Sequence, residues 1–504
     1  MTDNRFSRRY FFYGTLLAGA VPTGGFGSTP SLNRLGFKSV NEKLNIAAIG
    51  VGTRGPQILR GVAGSENIVA LCDVNDEMAA AAFQTYEKTQ RYKDFRKMIE
   101  TEGKNIDAVM IATPDHTHTP AALFCMQHGK HVYCEKPLTR TVWEARLLLE
   151  AANKYKVATQ MGNQGYSHEG TRTCAEILWS GAIGDVKEVH AWTGLIYGGD
   201  PALQAAPAEE KVPETLDWDL WLSSAATRPY SPLMTRQWRA FLDFGTGGSL
   251  GDWGVHILGP ANLALQLDKV APTSVECVTV EGKSQWTWPA QSHLRYEFPV
   301  RGNLPAVTIN FYQNMMGEWK KPEGMEENEP LLPPSNNLAE RGRPAPPEPF
   351  AQALPGGRAG GSGGRGGPGR GPGRGPGGPG GPRRVPGNGA LFVGDKGNMA
   401  TTSRGEGVWL LPASRWKEYA LPPQLLPRSV NHQQDWVRAC KGGQPGCSEF
   451  NIAVPYIEWL VLGAVALRAP GKLLWDSKNV RFTNNEEANK LLRPYIRRGW
   501  DLKV

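Results

Sequence analysis

The sequence predicts an α/β domain with a doubly wound parallel sheet, followed by an α+β domain with a mostly antiparallel, open sheet. Three observations carry that reading. At 504 residues the chain is too long for one ordinary core. From Leu44 to Lys154, short apolar runs alternate with helical patterns, which is the rhythm of parallel strands joined by helices. After about Met161 the strands begin to alternate apolar with polar residues, as a sheet with one exposed face requires.

The first strand is the apolar run Leu44 to Ile49, followed by the turn Gly50-Val51-Gly52-Thr53-Arg54-Gly55 and a helix from about Pro56 to Val62. Asn67 to Cys72 reads as a second strand ending at Asp73, and Ala79 to Lys88 as a helix. Ile106 to Ala112 and His131 to Cys134 read as strands, each followed by a helix, Pro120 to His128 and the amphipathic Val142 to Lys154. In the second half, strands are expected at Val186 to Thr193, Val275 to Glu281, Ser292 to Phe298 and Ala306 to Tyr312. Helices at Ser167 to Leu178 and Asp252 to Leu267 should cover them. The run Ala390 to Val393 resumes the sheet, and helices near 431–440 and 452–468 close the fold.

These patterns divide the chain into a leader and linker (1–42), a nucleotide domain (43–160) and a substrate and oligomerisation domain (161–504). Within the last, residues 322–389 are rich in Pro, Gly and Arg, cannot bury a core, and are expected to be a disordered insertion. Six arginines of that tract, Arg358, Arg365, Arg370, Arg374, Arg383 and Arg384, account for most of the net charge of +8, which falls to +2 without them. The folded body is therefore near neutral, and no nucleic-acid partner is expected. The seven cysteines (72, 125, 134, 174, 277, 440 and 447) show no metal-binding spacing and read as buried thiols. At the N-terminus, Ser7-Arg8-Arg9-Tyr10-Phe11-Phe12 precedes a short apolar run and small residues, and resembles the twin-arginine export signal. Periplasmic or exported localisation is the expectation, with no stable membrane span, because the run is too short.

The turn after the first strand is a G-x-G-x-x-G in full context: a strand precedes it, a helix follows it, and Asp73 ends the next strand 18 residues after Gly55. Gly50 permits the tight turn, Gly52 lets the backbone approach a pyrophosphate, and Gly55 allows close helix packing, with Thr53 and Arg54 on the same loop. The helix N-terminus then faces the phosphates. Asp73 can accept both ribose hydroxyls and would repel a 2′-phosphate, so NAD is expected rather than NADP.

Three further segments carry chemistry. Thr113-Pro114-Asp115-His116-Thr117-His118 follows the third long strand, and Glu135-Lys136-Pro137 follows the next. Gly251-Asp252-Trp253-Gly254-Val255-His256 opens a helix that sets Asp252 and His256 four residues apart, on one face. No third ligand accompanies His116 and His118 at a telling distance, so no metal is expected. Oxidising a secondary alcohol requires a base, and a histidine with an ordinary pKa of ~6.5 suits that task. Asp252 would orient the imidazole of His256, and Lys136 would stabilise charge developing on the substrate oxygen.

From Leu44 to the C-terminus, apart from the Gly/Pro tract, the combination of G-x-G-x-x-G, Thr-Pro, Glu-Lys-Pro and Asp-x-x-x-His resembles the Gfo/Idh/MocA family of glucose–fructose oxidoreductase and inositol dehydrogenase. The stretch His131 to Thr139, with Met161-Gly162-Asn163-Gln164-Gly165, looks like its exported branch. The resemblance implies a catalytic set of Lys136, Asp252 and His256, with Glu135 and Pro137 positioning Lys136 across a Lys–Pro bond that is often cis. It implies cofactor contacts from Thr113, Pro114, Glu135, Lys136 and Asn163, with His116 near the nicotinamide. It also implies a sugar or polyol substrate, and homo-oligomers formed through the open sheet face. Trp192, Tyr197, Trp238, Arg239 and Trp253 could line a sugar pocket or pack the core, with Arg239 and Trp253 the strongest candidates for the pocket. Net oxidation or transhydrogenation with tightly held NAD stands against NAD-dependent glycoside cleavage, whose enzymes in that family place Tyr where Asp252 stands here.

Overall fold

The computed structural model describes residues 38–199, 203–344 and 387–504. The leader at 1–37 and the arginine-bearing tract at 345–386 lie outside the described residues.

The first domain opens with β1 (Asn45–Ile49), α1 (Gly55–Arg60), β2 (Asn67–Cys72), α2 (Asp76–Thr85), β3 (Gln90–Tyr92) and α3 (Phe95–Glu102). It continues with β4 (Ala108–Ile111), α4 (Asp115–Gln127), β5 (His131–Glu135), α5 (Val142–Tyr155) and β6 (Thr159–Gly162). All six strands are parallel in the order β3-β2-β1-β4-β5-β6, so the chain order reverses beside β1. That reversal opens a crevice at the strands' C-terminal edge, where doubly wound sheets bind ligands. Both faces of β1 are buried: Ala47 and Ile49 enter one core cluster, Ile46 and Ala48 the other. This is why the strand reads as a continuous apolar run. Asn75 caps α2 by accepting from the Met78 amide, and Thr141 with Glu144 forms a capping box on α5.

Four elements of this domain depart from expectation. The short edge strands β3 and β6 and helix α3 were not legible in the pattern. Helix α4 starts five residues early, at Asp115 rather than Pro120. Pro120 sits inside that helix and leaves the His116 carbonyl without its usual donor; that oxygen accepts from the Ser224 hydroxyl instead.

The second domain is a nine-stranded sheet that includes β7 (Val186–Thr193), β8 (Ser274–Glu281), β9 (Gln291–Phe298), β10 (Val307–Gln313), β11 (Gly389–Gly394), β12 (Gly397–Thr402) and β13 (Val408–Leu411). All its pairings are antiparallel except β7 with β10. One face carries Val189, Leu294, Tyr296, Ile309 and Phe311 into the core, where Tyr296 donates to the Leu460 carbonyl of the helix Phe450–Ala466. On the other face Trp319 stacks on Trp192 at 4.7 Å, so the sheet is less open than expected. Trp319 belongs to residues 314–344, and part of this segment was expected to be a disordered insertion. Residues 322–344 instead pack on the sheet edge: Leu338 is buried, Asn337 donates to the Val408 carbonyl, and Trp409 donates to the Leu331 carbonyl. Apolar residues among the prolines, notably Leu331, Leu332 and Leu338, give this stretch a core to join.

The helix expected from Asp252 to Leu267 is broken into a π-helical turn (Leu250–Gly254) and two short helices (Val255–Ile257, Gly259–Ala264), with Pro260 at the start of the last. Near the C-terminus the chain returns to the first domain, where Trp436, Val437 and Cys440 pack under β1. All seven cysteines are free. Among the described residues no helix is long and apolar enough to cross a membrane.

Candidate active site

A cleft of about 800 Å³ runs along the C-terminal edge of the parallel sheet and under the second domain. That lies within the ~300–1,000 Å³ of small-molecule sites. Its lining includes Gly50, Gly52, Thr53, Arg54, Asp73, Thr113, Pro114, Asp115, Glu135, Lys136, Arg239, Asp252, Trp253, His256 and Arg404.

The nucleotide end is built by backbone. Gly50 has φ +82°, and a Cβ there would stand 2.7 Å from the Ala112 carbonyl carbon. No larger residue fits that turn without moving β4. Asp73 accepts from the Val51 amide at 2.8 Å and the Asn75 amide at 2.9 Å, joining the glycine turn to the end of β2. Burial raises the Asp73 pKa, against the pull of those amides. A glycine turn, a helix N-terminus and an acid at the neighbouring strand end fit a dinucleotide. Arg54 lies 3.3 Å from Glu135, whose carboxylate also accepts from Gln164 at 2.8 Å.

The chemical end is built by side chains from distant segments. Lys136 follows β5 across a cis bond to Pro137. Its ammonium donates to the Asp252 carboxylate and, at 2.8 Å, to the Asp252 carbonyl. The Tyr197 hydroxyl donates to the other carboxylate oxygen, and the Arg239 Nε lies 3.1 Å from the first. Burial works to raise the Asp252 pKa, but Arg239 and Lys136 hold it well below the usual carboxylate range. Burial, helped by Arg239, lowers that of Lys136. His256 is only 3% exposed, and among the described residues its Nδ1 has no partner. Burial, then Arg404 and Lys136, push its pKa well down, so the imidazole is neutral at pH 7.

The expected Asp252–His256 hydrogen bond is absent among the described residues. Both Asp252 oxygens are taken by Lys136, Arg239 and Tyr197, so that trio holds Asp252. Trp253 stands edge-on to the imidazole with ring centroids 6.1 Å apart.

Other expected positions separate. His116 does not line the cleft. Its Nε2 is 2.8 Å from the Trp221 carbonyl, its ring packs on Trp221 and Phe244, and burial lowers its pKa to about 3. The early start of α4 explains this, because its first turn presents Asp115 to the cleft and turns His116 to the core. Asn163 is buried away from the cleft lining and accepts from the Ser448 hydroxyl at 2.6 Å. Gly55 packs against Gly50 rather than lining the cleft. Trp192 is core, Tyr197 binds Asp252, and Trp238, Arg239 and Trp253 reach the cleft. His118 lies 3.0 Å from the Thr113 carbonyl. Among the described residues no group of three His, Cys, Asp or Glu could hold a metal.

Two further cleft residues, Asp115 and Arg404, do not stand out in the sequence as site residues. Asp115 is 5% exposed, accepts from the Thr246 hydroxyl at 2.7 Å, and is pushed up to about 6 by burial, against Arg239 and Thr246. An acid at a helix start inside the Thr-Pro segment was the available signal. Arg404 stands on the β12–β13 hairpin and gave none.

Fold and cleft together define a two-domain protein with a dinucleotide-binding site. Residues 44–163 match the family model described as oxidoreductase family, NAD-binding Rossmann fold, and residues 187–297 match the same family's C-terminal alpha/beta domain. Both matched models describe Gfo/Idh/MocA oxidoreductases, to which this chain is similar over those two stretches. It is 30% identical over 152 residues to the inositol 2-dehydrogenase of Salmonella paratyphi B, 29% of this chain and 45% of that protein. It is also 30% identical over 156 residues to glycosyl hydrolase family 109 protein 2 of Bacteroides fragilis, 29% of this chain and 36% of that one. The chain thus spans less than half the length of these relatives. An inositol dehydrogenase homolog from Azotobacter vinelandii, solved with NAD+, shares the fold at 16% identity and a TM-score of 0.53, over 87% of this chain and 99% of that one.

Proposed function

We propose that this chain transfers hydride between a sugar or polyol hydroxyl and a tightly held NAD, with Lys136, Asp252 and His256 as its catalytic set. The observation that carries the proposal is the meeting of those three residues, from two domains, in the same cleft as the glycine turn and Asp73. NAD, when bound, supplies the hydride acceptor. His256, neutral and with a free nitrogen, accepts the hydroxyl proton. Lys136 donates a hydrogen bond to the substrate oxygen and offsets the charge that develops there. Asp252 holds Lys136 in place, and Arg239 and Tyr197 fix Asp252 in turn.

The test is to denature the purified protein, identify any released nucleotide, and follow the NADH band of intact protein across a panel of sugars and glycosides. Bound NAD that is reduced by a sugar and stays reduced until a second carbonyl compound arrives supports the proposal. The match to the family 109 protein favours a second reading, glycoside cleavage through transient oxidation. Cleavage of a glycoside with no lasting NADH selects it.

Two further expectations belong with this reading. The Arg8-Arg9 segment addresses the chain to the twin-arginine export route, and replacing both arginines by lysine should keep the protein in the cytoplasm. The second sheet mediates homo-oligomers, and a monomer in light scattering overturns that.

A further inference from the structure

The geometry points to Arg404 as the receptor for an anionic group on the substrate, which makes a carboxylate-bearing sugar of the uronic acid type the preferred ligand. This inference rests on the oxidoreductase reading of the same cleft.

The charged groups nearest the reacting end of the cleft are mostly engaged. Asp252 is shared by Lys136, Arg239 and Tyr197, and Arg54 is tied to Glu135 and Gln57. Asp73 is occupied by backbone amides. The Arg404 guanidinium lines the cleft, and its buried Nε has no partner among the described residues. The acid nearest in sequence is Glu406, and it is committed elsewhere: its carboxylate accepts from the Arg404 amide at 2.9 Å and the Thr402 hydroxyl at 2.7 Å. Glu406 still acts on the guanidinium through space, but a cation partly withdrawn from water with no hydrogen-bonded counter-ion is costly. An anionic ligand removes that cost.

The side chain is also aimed. Its hairpin is clamped from below, because the Arg404 carbonyl lies 3.1 Å from His168 Nδ1 and presses on Gly165, where a Cβ would stand 2.6 Å from it. Above, the guanidinium lies over the Trp253 ring at 5.1 Å. That leaves the planar fork beside Trp253 and close enough to His256 to lower its pKa, at the end of the cleft where the proton is moved. A guanidinium fork matches a carboxylate in bidentate fashion, and the Trp face suits the C–H surface of a sugar ring.

The experiment uses NAD-loaded full-length protein with two matched pairs, glucuronate with glucose and galacturonate with galactose. Binding is read by calorimetry and turnover by NADH formation. The acid of a pair should bind at least about tenfold more tightly than its neutral partner, as expected for a charge-assisted pair. Arg404→Met should cut the acid-to-neutral ratio by about 10–100-fold, and Arg404→Lys should recover part of it, keeping the charge but not the fork. A check of NAD affinity accompanies both variants. Equal binding of acid and neutral sugar, no measurable uronate binding, or a ratio that survives Arg404→Met overturns the assignment. So does a loss of NAD affinity as large as the loss for uronate, which would make Arg404 a cofactor-phosphate ligand. Selective uronate binding without NADH formation would uphold Arg404 and sink the oxidoreductase reading instead.

Discussion

On the nucleotide wall of the cleft the working groups are mostly main chain: a glycine turn, a helix start, and amides that fix Asp73. On the substrate wall they are side chains delivered by separate segments: Lys136 from the end of β5, Tyr197 from beyond β7, Arg239 and Asp252 from the linking helices, and Arg404 from a hairpin tip. A backbone site is specified by a few consecutive residues and leaves a signature in the sequence. A side-chain site is specified by packing between segments far apart in the chain. Substitutions should therefore act differently on the two walls, costing folding and nucleotide affinity on the first and turnover or selectivity on the second.

The largest effects are expected on the substrate wall. His256→Ala and Lys136→Met should each lower kcat by about 10²–10⁴-fold while NAD binding persists. Rapid-mixing measurement of NADH formation, beside a nucleotide titration, checks this, and unaltered turnover in His256→Ala would sink the mechanism. On the nucleotide wall, Gly50→Ala forces a side chain into φ +82° against Ala112. It should cost about 1–3 kcal/mol of stability and weaken NAD binding together, measured by urea unfolding with and without nucleotide. Asp73→Ala, which also strips the Val51 and Asn75 amides of their acceptor, should weaken NAD about 10–100-fold and narrow the preference over NADP. Unchanged NAD affinity would remove Asp73 from the site.

The wall division also explains what the sequence made legible. Strands β1, β2, β4 and β5 bury both faces, so their apolar runs stand out, and the glycine turn between β1 and α1 could be placed with its acid. The short edge strand β3 carries Gln90-Arg91-Tyr92, which has no apolar pattern to find. His116 was misplaced by the register of one helix: once α4 starts at Asp115, the acid and not the histidine faces the cleft. The expected Asp252–His256 pair failed for a different reason. Spacing set them near one another, but spacing could not show that Lys136, Arg239 and Tyr197 would converge on the same carboxylate. Arg404 lies about 150 residues beyond His256, and only the folded hairpin brings the two together.

The smallest expected effect concerns His116, which belongs to neither wall. Burial holds its pKa near 3, well below its unfolded value. The unfolded chain therefore binds the extra proton first, so stability is full above pH ~6.5 and falls as pH drops toward the folded value. His118, His131 and His432, each lowered to about 4, act in the same direction. Urea unfolding at pH 7 and pH 5 should show the loss, and His116→Gln should shallow the slope by up to about 1.4 kcal/mol per pH unit. An unchanged slope would mean that His116 is protonated in the fold.

The measurement closest to the central claim is a single turnover of NAD-loaded protein with a sugar deuterated at its carbinol carbons. If hydride leaves carbon directly while His256 takes the hydroxyl proton, deuterium appears on the nicotinamide of the released nucleotide and reduction is slowed by the heavier isotope. Deuterium found only in solvent, with the nucleotide unlabelled, would contradict hydride transfer as the reaction of this cleft.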